Sequence, residues 1–188
     1  MIRIGILGEI GSGKTFVANN FGYPVFNADH EVAKLYQKDR SVYKKLKKTL
    51  PGYLNSFPIK KNEISFAILD KKINLKKIVK IVHLKVKKRL NIFLKKNKNK
   101  KIIILDIPLL LENKINTKKD ILIFVQSNKK NIEKRLKIRK NYNPRLLEQF
   151  RKIQFPLSYK KDKSDFIIRN NFSKKSVKKD IKNILEFI

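Results

Sequence analysis

Short apolar runs alternate along this chain with longer stretches of helical spacing. The runs are Ile2 to Leu7, Pro24 to Ala28, Ile102 to Leu105, Ile121 to Val125 and Phe166 to Ile168. Ile102 to Leu105 is apolar without alternation, as expected of a strand buried on both faces of a parallel sheet. Helices are predicted over residues 14–21, 29–37, 40–49, 62–70, 74–96, 129–140, 144–160 and 173–187. Asn143-Pro144 is a helix start, with an Asn cap and Pro in the first helical position, and Ser173 caps the last helix. The alternation predicts an α/β fold: a three-layer sandwich around a five-stranded parallel sheet. The second and third strands are separated by about seventy residues, whereas a crossover needs only about a dozen. Residues 38–98 are therefore expected to form a helical insertion on the carboxyl edge of the sheet, where substrate binds.

Length and composition bound the rest. A chain of 188 residues with 41% hydrophobic content is expected to be a single domain with a sizeable core. It has no cysteine, which excludes disulfides, thiolate metal sites and a cysteine nucleophile. No apolar run approaches the roughly 18 to 20 residues of a membrane span. The chain opens on a strand rather than a signal segment. A cytoplasmic protein without a membrane partner is expected.

The formal net charge is +32. A polyanion partner such as nucleic acid is one reading. Compositional drift is the other, and it is favoured. Lysines outnumber arginines by 39 to 8, so the residue best suited to forked phosphate and base contacts is scarce. Runs such as Lys44 to Lys48 and Lys95 to Lys101 read as solvated faces and loops. No specific nucleic-acid partner is expected, and the protein is expected to be a monomer with a field that favours anionic substrates.

The chemistry begins at Gly8-Glu9-Ile10-Gly11-Ser12-Gly13-Lys14-Thr15, which fits G-x-x-x-x-G-K-[S/T] in full. A strand precedes it and a helix follows, so a chance glycine-rich turn is disfavoured. Such a P-loop wraps phosphates with backbone N–H groups, a helix N-terminus and Lys14, and offers the Thr15 hydroxyl to Mg²⁺. Asp29 follows the second strand, at the sheet edge where ligands bind. It is either a proton acceptor for an attacking hydroxyl or a helix cap. Asp106 ends the third strand, as a Mg²⁺-water contact or a turn residue. Arg135 and Arg139, four apart on one predicted helix, share a face that can clamp phosphates, and Arg145 and Arg151 follow. Each is otherwise a solvated helix residue. His83 is a substrate contact or a satisfied core or groove residue, and Glu112 a surface or capping acid.

Together these segments resemble the dephospho-CoA kinases of the P-loop nucleoside-monophosphate-kinase-like group, over nearly the whole chain. Asn27-Ala28-Asp29 is similar to the family's Asp-Ala-Asp, and Pro108-Leu109-Leu110-Leu111-Glu112 to its Pro-Leu-Leu-x-Glu segment. Gln154, Lys160, Asp165, Ile168 and Asn170 fall at the spacing of its C-terminal signature. The resemblance implies ATP-dependent phosphorylation of the 3′-hydroxyl of dephospho-CoA, with Mg²⁺. It implies Asp29 as base, with Lys14 and Arg139 catalytic. ATP would be held by Gly8, Gly11, Ser12, Gly13, Lys14, Thr15, Phe16, Arg135 and Asn170. Dephospho-CoA would be held by Asp29, His83 and Glu112, and Mg²⁺ by Thr15 and Asp106. Residues 135–160 would form a lid. The chain departs from the family pattern at Glu9, Asn27, Leu84, Arg169 and Phe172, the last two where adenine would be held. Glu9 is expected to point away from the phosphates. Another P-loop small-molecule kinase, or a nucleic-acid-binding NTPase, is the alternative reading.

Overall fold

A computed structural model describes residues 1–140 and 142–188. It divides into two compact units: Met1–Asn27 with Lys95–Tyr142 and Gln154–Ile188, and Ala28–Leu94 with Asn143–Ile153.

The first unit holds the sheet. Its strands are β1 (Ile2–Gly8), β2 (Val25–Asn27), β3 (Ile102–Asp106), β4 (Ile121–Gln126) and β5 (Phe166–Arg169). All pairs are parallel, in the order β2-β3-β1-β4-β5. Every residue of β3 is buried, as its unbroken apolar run requires. On one face, Ile4, Ile6, Ile104, Ile123 and Val125 pack with Val17, Ala18 and Phe21 of helix α1 (Lys14–Asn20). Val177, Ile181 and Ile184 of the C-terminal helix join the same core. Gly5 points the other way, between Ile4 and Ile6 in the strand's alternation. A Cβ there would overlap the side chains of Leu110 and of Leu122 on the paired strand β4, so the bare backbone leaves room for both.

The second unit is helical: α2 (Ala28–Lys38), α3 (Arg40–Thr49), α4 (Lys61–Asp70), the long α5 that starts at Ile73 and ends at Lys96, and α7 (Pro144–Lys152). Helices α2 and α3 pack together, as do α4 and α7. Arg89 of α5 pairs with Glu31 of α2 at 2.8 Å, and Lys85 pairs with Asp39, the cap of α3, at 3.1 Å. Burial raises the Glu31 carboxyl's pKa, but hydrogen bonds from Lys34 and Arg89 outweigh it and hold the group below its ordinary value.

Two predicted helices end differently. The single helix over 144–160 is two, α7 and α8 (Leu157–Asp162). Pro156 separates them: it has no N–H for the helix and drives the residue before it out of helical geometry. The helix over 129–140 stops at Lys137 as α6 (Lys129–Lys137). Ile132 and Leu136 bury its inner stripe, but the next position on that stripe is Lys140, and Ile138 is 82% exposed. With no apolar anchor for another turn, the helix ends and Arg139 lies beyond it. The last helix, α9 (Lys174–Glu186), is capped by Ser173 as expected.

Candidate active site

The glycine-rich loop links the end of β1 to α1. Gly13, at the α1 cap position, has φ +89°, and a Cβ there would overlap Asn170 and the Phe172 ring. Glycine is required both for the left-handed backbone and for that close approach. A Cβ on Gly11 would likewise press on Ile132 and Leu136, so α6 packs directly on the loop. Lys14 Nζ donates to the carbonyls of Gly8 and Glu9 at 3.1 and 2.9 Å, which holds the cation over the loop.

Two further contacts brace the loop from the adjoining strand ends. Asn170, 2% exposed, donates from Nδ2 to Ser12 O at 2.8 Å, and its Oδ1 accepts from Phe172 N. Ser127 Oγ lies 2.8 Å from both Ser12 O and Asn170 O. Ser127 was not among the expected site residues. Its only sequence signal is a hydroxyl directly after β4, at the edge where ligands bind.

On the other side, Thr15 Oγ1 donates to Asp106 Oδ2 at 2.6 Å, and Asn27 Nδ2 donates to the same oxygen at 2.6 Å. Hydroxyl and carboxylate are the hard oxygen donors that Mg²⁺ prefers. Among the described residues no group of three or more His, Cys, Asp or Glu converges. A cation here would thus be held as Mg²⁺ usually is, by one or two protein oxygens with water and phosphate completing its shell. The residues fit the ion.

Phe172 adopts φ +65° and sits against Gly13. Its ring is 6.4 Å from that of Phe16, and the Arg135 guanidinium lies 3.9 Å from its centroid. The P-loop, Thr15, Phe16, Asp106, Arg135 and Asn170 are thereby assembled in the first unit. Glu112 is not part of that cluster. Its Oε1 accepts from Lys160 Nζ at 2.8 Å and from Phe155 N at 2.9 Å, while Oε2 is buried without a hydrogen-bond partner among the described residues.

The remaining candidates lie apart in the chain. Arg139 is exposed beyond α6, and Arg145 and Arg151 are exposed on α7. Asp29 and His83 belong to the second unit. Helix α2 begins at Ala28, so Asp29 stands inside its first turn rather than at the cap. It is exposed there, and a carboxylate in the first turn is favoured by the helix dipole. His83 is half-buried on α5; burial and then the charge of Lys87 push its pKa below the ordinary imidazole value. Both effects favour the neutral imidazole.

Residues 2–176 match the family model described as dephospho-CoA kinase. The chain belongs to the dephospho-CoA kinase family. It is 36% identical to the dephospho-CoA kinase of Wolbachia sp. subsp. Brugia malayi (strain TRS), over 97% of this chain and 96% of that protein. Its fold is similar to that of TT1252 from Thermus thermophilus, with a TM-score of 0.79 at 23% identity over 100% and 97% of the two chains. It is also similar to dephospho-CoA kinase from Campylobacter jejuni, with a TM-score of 0.62 at 20% identity over 98% and 96%. Family membership implies ATP as co-substrate. Among the described residues no helix is long and apolar enough to cross a membrane.

Proposed function

We propose that this protein transfers the γ-phosphoryl group of ATP to the 3′-hydroxyl of dephospho-CoA, giving coenzyme A and ADP. The match of residues 2–176 to the family carries the reading, and the loop geometry supports it. The loop from Gly8 to Thr15 binds the β- and γ-phosphates, and Lys14 adds its charge to the group in transfer. Thr15 and Asp106 would hold Mg²⁺, which when bound neutralises charge on the phosphates. Asp29 takes the proton of the 3′-hydroxyl as that oxygen bonds to the γ-phosphorus and the bond to the bridging oxygen breaks.

Arg135 and Arg139 act from a lid over residues 135–160, neutralising the transferred phosphoryl and excluding water that would compete as acceptor. The helical insertion, residues 38–98, holds the acceptor. His83 contacts it as a neutral hydrogen-bonding group. Glu112 serves the substrate side, with Oε2 as the oxygen not already taken by Lys160 and Phe155 N. Phe16 and Asn170 complete the ATP site, Asn170 by holding Ser12 in place. The reading includes a cytoplasmic, monomeric protein without a specific nucleic-acid partner, given the scarcity of arginine.

An acceptor panel with Mg·ATP tests this. Dephospho-CoA is expected to be phosphorylated, with AMP, CMP and shikimate inert. Phosphorylation of any of those with dephospho-CoA untouched would overturn the assignment. ATP hydrolysis that needs nucleic acid and weakens steeply with salt would point to the NTPase instead.

A further inference from the structure

Asn27 closes β2 directly opposite Asp106 in the parallel register. Its amide donates to the Asp106 oxygen that also accepts the Thr15 hydroxyl, each at 2.6 Å. Asp106 is 3% exposed, so its orientation is set by these protein donors more than by solvent. Both donors fall on Oδ2, and Oδ1 takes no part in either contact. An aspartate carboxylate in place of Asn27 has no N–H to offer and would set two like charges face to face across the β2–β3 pair. In this chain the residue at 27 turns a repulsive pair into a hydrogen bond.

We infer that Asn27 is a positioning residue: it fixes the Asp106 carboxylate, together with Thr15, for the divalent cation that accompanies the nucleotide. This rests on the reading of Thr15 and Asp106 as the cation's protein oxygens. It does not depend on which acceptor the enzyme phosphorylates.

The experiment is calorimetric titration of ATP without any acceptor, once with Mn²⁺ and once with EDTA, on the intact chain and on Asn27→Ala and Asn27→Asp. Asn27→Ala frees the Asp106 side chain. It is expected to weaken Mn·ATP binding about tenfold, the scale of one hydrogen bond to a charged group, and to leave metal-free ATP binding within about twofold. Asn27→Asp keeps the shape and adds a charge. It is expected to weaken metal-free ATP binding and so to widen the gap between the two titrations, where Asn27→Ala narrows it. A purely structural role would weaken both titrations alike in both variants, and that result would overturn the inference. So would an unchanged gap in Asn27→Ala. If Asn27→Ala does not fold, the similarly sized Asn27→Leu, which also lacks the donor, takes its place and is expected to narrow the gap in the same way. Failure of the acceptor panel with these binding shifts intact would count against the substrate and leave the role of Asn27 standing.

Discussion

Lys160 Nζ lies 2.8 Å from Glu112 Oε1, with the two side chains 1% and 8% exposed. Gln154 Oε1 accepts from the same ammonium at 3.0 Å. The pair joins the segment after β3 to α8 inside the first unit. Burying two charges is costly, and what offsets it is their mutual attraction together with the bond Lys160 gives to Gln154 and the bond Glu112 accepts from Phe155 N. Removing one partner leaves the other charged and buried. Glu112→Ala and Lys160→Met are each expected to lower unfolding free energy by about 3 to 5 kcal/mol in urea titrations. The double variant Glu112→Leu with Lys160→Met should recover much of that loss. Unchanged stability in Glu112→Ala, with a raised KM for dephospho-CoA, would make Glu112 a substrate ligand first and a structural acid second.

Asp29 offers a cleaner separation of binding from chemistry. It stands in the first turn of α2 and is exposed. As a general base it contributes when the acceptor hydroxyl loses its proton, not when ATP binds. Asp29→Asn should leave ATP affinity within about twofold and lower kcat by about 10² or more. Steady-state kinetics with calorimetry of ATP measures both. Retention of normal turnover would remove Asp29 from the mechanism.

Which features could be read in advance follows from the range of the interactions behind them. Strand Ile102–Asp106 is visible because a strand buried on both faces needs an unbroken apolar run. The P-loop is visible because its requirements are local: Gly13 must adopt positive φ, and Lys14 and Thr15 must follow it. Asn143-Pro144 starts a helix for reasons confined to that dipeptide. The Asn170 to Ser12 bond spans 158 residues and leaves no local trace. Asn170 is found only through its place in the C-terminal signature, and Ser127 is not found at all. Asn27 looked like a missing carboxylate, and the register with Asp106 shows a donor. Pro156 is a local break signal set against helical spacing on either side of it. Spacing alone sets Arg139 on a helix face, although the helix has nothing left to bury there.

Phe172 carries a cost that its contacts offset. A non-glycine residue at φ +65° is disfavoured by roughly 1 to 2 kcal/mol. Its ring returns part of this by packing on Gly13 and by stacking under Arg135, a cation–π contact of about 0.5 to 2 kcal/mol. Phe172→Gly relieves the backbone and loses the ring, so its melting temperature should stay close to that of the parent. Phe172→Ala loses the ring and keeps the strain, and should melt lower than Phe172→Gly. Both release Arg135 from its seat and should raise the KM for ATP by a similar factor. A KM unaffected in both variants would show that Arg135 reaches the nucleotide without this platform.

The acid limb of stability has an identifiable contributor in the second unit. Asp39 Oδ1 accepts from Ser41 N at 2.9 Å, from Ser41 Oγ at 2.6 Å and from Val42 N at 3.0 Å, and Oδ2 accepts from Lys85 Nζ at 3.1 Å. Burial raises the carboxyl's pKa, but the bonds from Ser41, Val42 and Lys85 outweigh it and bring the value from 3.8 down to about 2. A folded-state pKa below the unfolded one means that folding favours the ionised form. The stabilisation is complete above the unfolded value and is lost as pH falls from 3.8 toward 2. Solvent screening at this partly exposed site holds the increment to about 1 kcal/mol at neutral pH. Asp39→Asn keeps a competent helix cap and removes the titration. Urea unfolding at a series of pH values should show the parent losing that increment between pH 3.8 and 2, with Asp39→Asn lacking this part of the slope and the two curves converging at the acid end. Parallel curves across the whole range would mean that ionisation of Asp39 contributes nothing to folding.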